Sequence, residues 1–327
     1  MVRVGAIDCG TNSIRLLIAD VELAEGKAPV VTDVLREMEI VRLGHGVDRT
    51  GSIDPVAMER TLVVAGRYAE TCEALGCQGV RFTATSASRD ASNAGEFIEG
   101  VRAAFSHFGI APEVITGLEE AELSFTGATG DVVAAGHPGP YLVCDIGGGS
   151  TELVRGEGVP TGGRVLQSHS ANIGCVRMTE RHLATDPPTA SEVAAATADI
   201  EAAIDQIAGH VDLEGVGTLV GLAGSVTTLT AHALRLETYD PDRIHLADVS
   251  PERITAATQE LLSMSHDERA ALGFMHPGRV DVIGAGALVW DRVVARVTAA
   301  SPGIDVVTSE HDILDGIALS VARRLAG

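Results

Sequence analysis

The hydrophobic and polar positions of this 327-residue chain fall into alternating strand-like and helix-like stretches. VRVGAID (2–8) and SIRLLIAD (13–20) are apolar runs separated by the small-residue turn CGTN, which predicts two strands and a tight loop. A third strand is expected over 34–42. In DPVAMERTLVVAGRYAETCEALG (54–76) the apolar positions recur with a helical period, and Pro55 stands where a first-turn proline belongs. A short strand is expected at 79–84 and a helix at 93–108. VITG (114–117) ends another strand, and LEEAELSFTGA opens a helix. A glycine- and proline-bearing passage at 130–140 follows.

The plan then starts again. A hairpin is expected at 141–155, a strand near 164–170, a helix from within 172–183, and an alanine-rich helix over 190–209 behind DPPT. TLVGLAGS (218–225) reads as a strand running into a small-residue turn, with a helix after it. Further helices are expected at 251–263, 266–272 and 278–299, then a last strand at 304–309 and a last helix over ILDGIALSVARRL. Strand–helix alternation of this kind predicts an α/β protein with its sheets covered on both faces.

Two segments echo each other. When Asp8 is set on Asp145, Gly10 falls on Gly147, Ser13 on Ser150 and Leu16 on Leu153. In each copy an apolar strand ends at an aspartate, a small-residue turn follows, and a second strand leaves. The copies lie about one domain length apart, which predicts two similar α/β domains, 1–132 and 133–327, each opening with its own loop.

Composition narrows the functions. Hydrophobic residues make up 45% and charged residues 21%, as in a packed globular protein. Aromatics are only 3% and the net charge is −21, which argues against nucleic acid and against an anionic membrane as partners. A phosphate ligand stays open, because loop amides, a few arginines and a cation suffice to hold one. Five cysteines without a CxxC pair, no signal-peptide pattern and no membrane-length apolar run together predict a cytoplasmic protein.

Three glycine-bearing turns follow strands, at 8–13, 145–151 and 221–225. Glycine lets consecutive N–H groups converge on an anion. Neither GxxxxGK[ST] nor GxGxxG is present. A carboxylate beside bound phosphate is repulsive unless a cation lies between them, so Asp8 and Asp145 point to Mg2+; the plain alternative is an aspartate that caps loop amides. ATSASRDA (84–91) offers Thr85, Ser86, Ser88 and Arg89, either for phosphate oxygens or as a helix cap with a solvated arginine. Hydrolysis of a phosphoanhydride needs a base to orient water. Glu120, in GLEEAE, and Glu152, after the second loop, both qualify, while Glu119 and Glu122 suit the start of a helix on dipole grounds. The histidines are scattered without a metal motif and read as structural or solvated.

In order along the chain, AIDCGTNSIRLL, VRLGHGVDRTG, ATSASRDASN, VITGLEEAELSF, DIGGGSTEL, NIGCVRMTE and GLAGSVTTL resemble the exopolyphosphatase/guanosine pentaphosphate phosphohydrolase (Ppx/GppA) family, in particular its short actinobacterial-type exopolyphosphatases. The resemblance implies two actin-like (ribonuclease H-like) domains of the actin–Hsp70–sugar-kinase superfamily with a central cleft. It implies a first phosphate loop with Gly10, Thr11, Asn12 and Ser13, and a second with Gly147, Gly148, Gly149, Ser150 and Thr151. Ser86 and Arg89 would contact substrate and Glu120 would be the base. Asp8, Asp145 and Glu152 would support Mg2+, or Mn2+ in its place, with Glu152 also helping the attacking water. The implied reaction releases orthophosphate from the end of inorganic polyphosphate, with no nucleic acid or membrane partner and with room for a homodimer.

Longer members carry a helical C-terminal region, and this chain has only 24 Lys and Arg, so short chains are the expected substrate. His45 stands where many relatives carry an acid. The competing expectations are guanosine pentaphosphate 5′-phosphohydrolysis, a sugar kinase of the same superfamily, and an inert polyphosphate or nucleotide sensor.

Overall fold

The computed structural model describes residues 1–24, 28–158 and 163–327. Contacts divide the chain into two compact units. One comprises Met1–Gly130 and Asp312–Gly327; the other runs from Asp131 to residue 158 and over Gly163–His311.

The sheet of the first unit is built from β1 (Val2–Cys9), β2 (Ser13–Glu22), β3 (Val30–Ile40), β4 (Gly79–Ala84) and β5 (Glu113–Val114). Their order is β3-β2-β1-β4-β5, with the first three antiparallel and β1, β4 and β5 parallel. Side chains alternate across a strand, and both faces of this sheet are apolar. Ile7, Cys9, Ile14, Leu16 and Ile18 face one core with Phe82, Tyr68 and Phe97, while Val4, Ala6, Leu17, Ala19 and Val21 face another. The helix Pro55–Ala74 covers the first face. Asp54 accepts hydrogen bonds from the Val56 and Ala57 amides as its N-cap, and Ala57, Thr61, Val64, Ala65, Tyr68 and Cys72 form its buried stripe. The stretch 93–108, expected as one helix, divides into Ala94–Ala104 and a short 3-10 turn, Ser106–Phe108.

The second face corrects the expected domain boundary. The chain order places the last helix, Ile313–Ala326, in the expected second domain, 133–327, yet it buries Ile313, Leu314, Ile317, Ala318, Val321 and Ala322 against the Val4–Ala6 and Leu17–Val21 face of the first sheet. Its apolar stripe completes a core that the first 130 residues leave half covered.

The second unit repeats the scheme with β6 (Tyr141–Ile146), β7 (Thr151–Glu157), β8 (Arg164–Ala171), β9 (Thr218–Leu222) and β10 (Asp305–Thr308), in the order β10-β9-β6-β7-β8. Read from its antiparallel end, this is the order of the first sheet. Leu142, Cys144, Ile146 and Leu153 pack with Ile200, Val226, Leu229, Leu261 and Trp290 from the helices Ala190–Ala208, Ala223–Ala233, Pro251–Ser263 and Ile283–Ala300. Thr189 and Glu192 form a capping box at the start of the first of these.

The description as two actin-like domains requires correction. Each sheet is open: β3 and β5 are the edges of one, and β8 and β10 are the edges of the other. Helices cover the central strands, so β6 is buried throughout and β1 over its last six residues, whereas β3 is exposed or half-buried throughout and β8 is so up to its last residue. The fold is two open mixed α/β sheets, covered on both faces only near their centres.

Candidate active site

In the first unit, parallel pairing draws three segments to the carboxyl ends of β1, β4 and β5, where open α/β sheets place their ligands. Asp8 pairs with Thr83 and Cys9 with Ala84, and Ala84 pairs in turn with Val114. The turn after Asp8 closes with Gly10 N–H donating to the Ser13 carbonyl (2.9 Å). Thr11 and Ser86 share a buried hydroxyl–hydroxyl bond of 2.9 Å. The VRLG segment braces this turn: the amides of Val41 and Arg42 donate to the Asn12 carbonyl and that of Gly44 to the Thr11 carbonyl. A Cβ on Gly44 would lie 2.3 Å from Thr11 Cγ2, so the close approach requires glycine there. His45 is exposed.

Asp8 is buried and faces Arg15, its direct partner across the β1–β2 ladder. Arg15 donates Nε (3.1 Å) and Nη2 (2.7 Å) to Asp8 Oδ2, and Nη1 to Asp312 Oδ2. Burial pushes the Asp8 carboxyl above its ordinary value, and the Arg15 charge pulls the other way. Asp8 Oδ1 is buried and has no hydrogen-bond partner among the described residues. Arg15 and Asp312 did not stand out in the sequence.

Glu120 lies in the first turn of the helix Gly117–Ala134 and is buried. Arg89 Nη1 donates to Glu120 Oε2 (3.2 Å) and to the Ile115 carbonyl (3.0 Å). Arg89 Nε and Nη2 make no hydrogen bond among the described residues, which leaves one edge of the guanidinium for a ligand. Ser86 and Ser88 are buried beside it, on the short helix Ser86–Asp90. The neighbouring Glu119 is taken up by an ion pair with Arg81, which also binds Glu113. Of the glutamates in GLEEAE, only Glu120 is both buried and set against Arg89.

The second unit holds the other group. The turn from Asp145 closes with Gly147 N–H donating to the Ser150 carbonyl (3.0 Å), the counterpart of the Gly10–Ser13 bond. The amides of Cys175, Val176 and Arg177 donate to the Gly147 and Gly148 carbonyls, tying Gly147 and Gly148 to the start of the helix Cys175–His182. A Cβ on Gly174 would fall 2.3 Å from the Gly148 carbonyl carbon. Thr151 Oγ1 donates to the Ile173 carbonyl.

Asp145 and Glu152 are direct partners across the β6–β7 ladder, so both side chains project on one face. Glu152 Oε1 accepts a hydrogen bond from Ser170 (2.6 Å), its partner on β8. The repeat is therefore asymmetric in charge. The residue facing the loop aspartate is an arginine in the first copy and a glutamate in the second.

The third glycine turn is not a loop. β9 ends at Leu222 and the helix starts at Ala223, whose φ of 67° makes the bend. A Cβ on Gly221 would meet Trp290 at 2.7 Å, and one on Gly224 would meet the Arg279 guanidinium at 2.3 Å. Both glycines serve close packing.

The donors suit a hard divalent cation. Asp8 presents an orphaned buried oxygen, and Asp145 and Glu152 set two carboxylates side by side; oxygen ligands of this kind are what Mg2+ and Mn2+ take. Acid-led glycine turns, buried hydroxyls and an arginine are features that α/β proteins use where they bind phosphate. Residues 21–321 match the Ppx/GppA phosphatase family, and the chain belongs to that family. It is 50% identical to "Exopolyphosphatase 2" of Mycobacterium tuberculosis, over 98% of this chain and 99% of that protein. A solved exopolyphosphatase-like protein superposes with a TM-score of 0.91 at 44% identity, covering 99% of this chain and 100% of the other. A guanosine-5′-triphosphate,3′-diphosphate pyrophosphatase of Vibrio cholerae is 32% identical over 68% of this chain and 42% of its own length.

Proposed function

We propose that this chain is an exopolyphosphatase, which hydrolyses the terminal phosphoanhydride of short inorganic polyphosphate and releases orthophosphate. The observation that carries the reading is the buried Glu120 fixed by Arg89 beside the Thr11–Ser86 hydroxyl pair and the Asp8 turn. The full-length similarity to the mycobacterial exopolyphosphatase supports the choice of substrate.

In this reading Glu120 accepts a proton from the water that attacks the terminal phosphorus, as the P–O bond to the next phosphate breaks. Arg89 orients Glu120 through Nη1 and offers Nε and Nη2 to the phosphoryl oxygens. The Gly10–Ser13 and Gly147–Thr151 turns present backbone amides to the anionic chain. Asp8 at the turn of the first unit, and Asp145 with Glu152 at the turn of the second, would each be donors for Mg2+, which when bound offsets phosphate charge that would otherwise meet these carboxylates. Ser170 positions Glu152 through its 2.6 Å bond.

Orthophosphate release should be measured from triphosphate, short and long polyphosphate, guanosine pentaphosphate and ATP, with and without Mg2+. Mg2+-dependent release that is fastest from short polyphosphate is the expected result; no release from any polyphosphate would refute the proposal. The Vibrio cholerae relative favours guanosine pentaphosphate as the second substrate to test. For the rest, we propose a cytoplasmic protein; among the described residues no helix is long and apolar enough to cross a membrane.

A further inference from the structure

Among the described residues, Asp131, His245 and His311, all in the second unit, bring three ligand atoms within 4.8 Å of one another. None of them belongs to the phosphate loops. Asp131 is in the last turn of the helix Gly117–Ala134, His245 follows the short helix Pro241–Ile244, and His311 follows β10. Asp131 Oδ2 lies 2.5 Å from His311 Nδ1 and 3.4 Å from His245 Nε2. The two imidazole centroids are 4.8 Å apart. All three residues are only partly buried, so an ion can reach them from solvent.

We propose that Asp131, His245 and His311 form a metal site for a divalent cation of the zinc class. Two imidazole nitrogens and one carboxylate oxygen are a donor set that suits Zn2+, Ni2+ or Fe2+, whereas Mg2+ prefers oxygen alone. Zinc binds such donors at about 2.0–2.2 Å, so the ligand atoms of a tetrahedral shell stand roughly 3.3 Å apart. The present separations reach that spacing by side-chain rotation. The three protein ligands leave a fourth position for water.

The backbone holds the site in advance of binding. Leu246 N–H donates to the Thr308 carbonyl (2.8 Å), Thr308 N–H to that of Ala247 (3.0 Å) and Val249 N–H to that of Val306 (3.1 Å), which fastens the His245 segment along β10. Leu246 has a φ of 59°, an uncommon conformation for a leucine that the surrounding bonds maintain. The Ser309 hydroxyl donates to the His311 carbonyl and accepts from its amide, fixing the backbone that carries the second imidazole. Two contacts change on binding, and the first is the 2.5 Å bond between His311 Nδ1 and Asp131 Oδ2, which gives way as both atoms turn to the metal. His245 Nδ1 now accepts from the Glu310 amide at 3.3 Å, and a metal at Nε2 moves the ring proton to Nδ1 and opens that weak contact.

The test titrates the whole metal-free chain with Zn2+ by calorimetry, with excess Mg2+ present to occupy oxygen sites. One Zn2+ per chain is expected, with affinity weakened about tenfold or more in His245→Gln and in His311→Gln. Binding should persist in Asp8→Asn. On the unaltered chain, Zn2+ should protect His245 and His311, but not the exposed His45, from diethyl pyrocarbonate as read by mass spectrometry. Failure to bind Zn2+ in the presence of Mg2+, full affinity in the double variant His245→Gln/His311→Gln, or equal modification of His245 and His311 with and without Zn2+ would each overturn the proposal.

Discussion

Arg15 is the residue whose replacement tests the construction of the first loop. Its side chain is mostly buried and is shared by two buried aspartates, taking Asp8 Oδ2 with Nε and Nη2 and Asp312 Oδ2 with Nη1. Arg15→Met keeps much of the apolar stem and removes the only charge that these bonds supply. Stripping one partner from a buried ion pair costs about 3–5 kcal/mol, because the other charge stays buried without compensation. The expected loss at neutral pH is therefore about 3–5 kcal/mol.

The loss should depend on pH. Arg15 and Arg36 hold the folded-state Asp312 carboxyl below its ordinary value, against the opposing effect of burial. A depressed carboxyl stabilises the native state above its unfolded value, about 3.9, and the contribution disappears as pH falls through the folded value. The gap between the parent and Arg15→Met should thus be widest near neutrality and narrow below about pH 4. The sole tryptophan, Trp290, sits in the core of the second unit, so its fluorescence is the wrong probe. Urea unfolding followed by hydrogen exchange of β1 and of the helix Ile313–Ala326 reads the affected unit. Adding Asp8→Asn should recover part of the loss, since the carboxylate that lost its arginine is then gone, while Asp312 keeps Arg36 and the Leu314 amide. A loss under about 1 kcal/mol, or one that does not change with pH, would show that Arg15 does not balance these carboxylates.

Two further substitutions separate stability from activity. Asp8→Asn removes a carboxyl that burial has already pushed upward, so denaturant unfolding should show the variant about as stable as the parent or more so, while Mg2+-dependent orthophosphate release collapses. Gly174→Ala puts a methyl group 2.3 Å from the Gly148 carbonyl carbon; the second turn must shift, with an expected cost of about 1–3 kcal/mol in unfolding and a matching fall in kcat/KM.

Much of this fold was legible because the hydrophobic pattern and the turn chemistry agree. The Asp8 and Asp145 segments could be aligned from sequence, and their turns close with equivalent bonds, Gly10 to Ser13 and Gly147 to Ser150. The stripe from Ala57 to Cys72 gave its helix away by period. Tertiary choices were not legible. The apolar face of Ile313–Ala326 announces that it must be buried, but not that its partner is Val4 and Leu17, some three hundred residues earlier. Gly221 and Gly224 looked like a third anion loop because a glycine needed for a close approach to Trp290 or Arg279 is spelled the same as one needed for a turn. Which strands end each sheet depends on pairing between distant segments, which local patterning does not encode.

The same limit held at the candidate site. Arg15 on an alternating strand reads as a solvated residue, and its one available signal was that it aligns with Glu152 in the repeat. Glu119 and Glu120 are indistinguishable by composition. They separate only once Arg81 is seen to engage one and Arg89 the other. Asp131, His245 and His311 are too far apart in sequence to form a motif.

In the proposed reaction Glu120 takes the proton from water at a terminal phosphoanhydride. The most direct measurement compares Glu120→Gln with the parent in single-turnover orthophosphate release from short polyphosphate with Mg2+, alongside calorimetric binding of the same substrate. Release should slow by about 10²–10⁴-fold while binding stays within a few fold of the parent. Release at the parental rate by a folded Glu120→Gln protein would contradict the account.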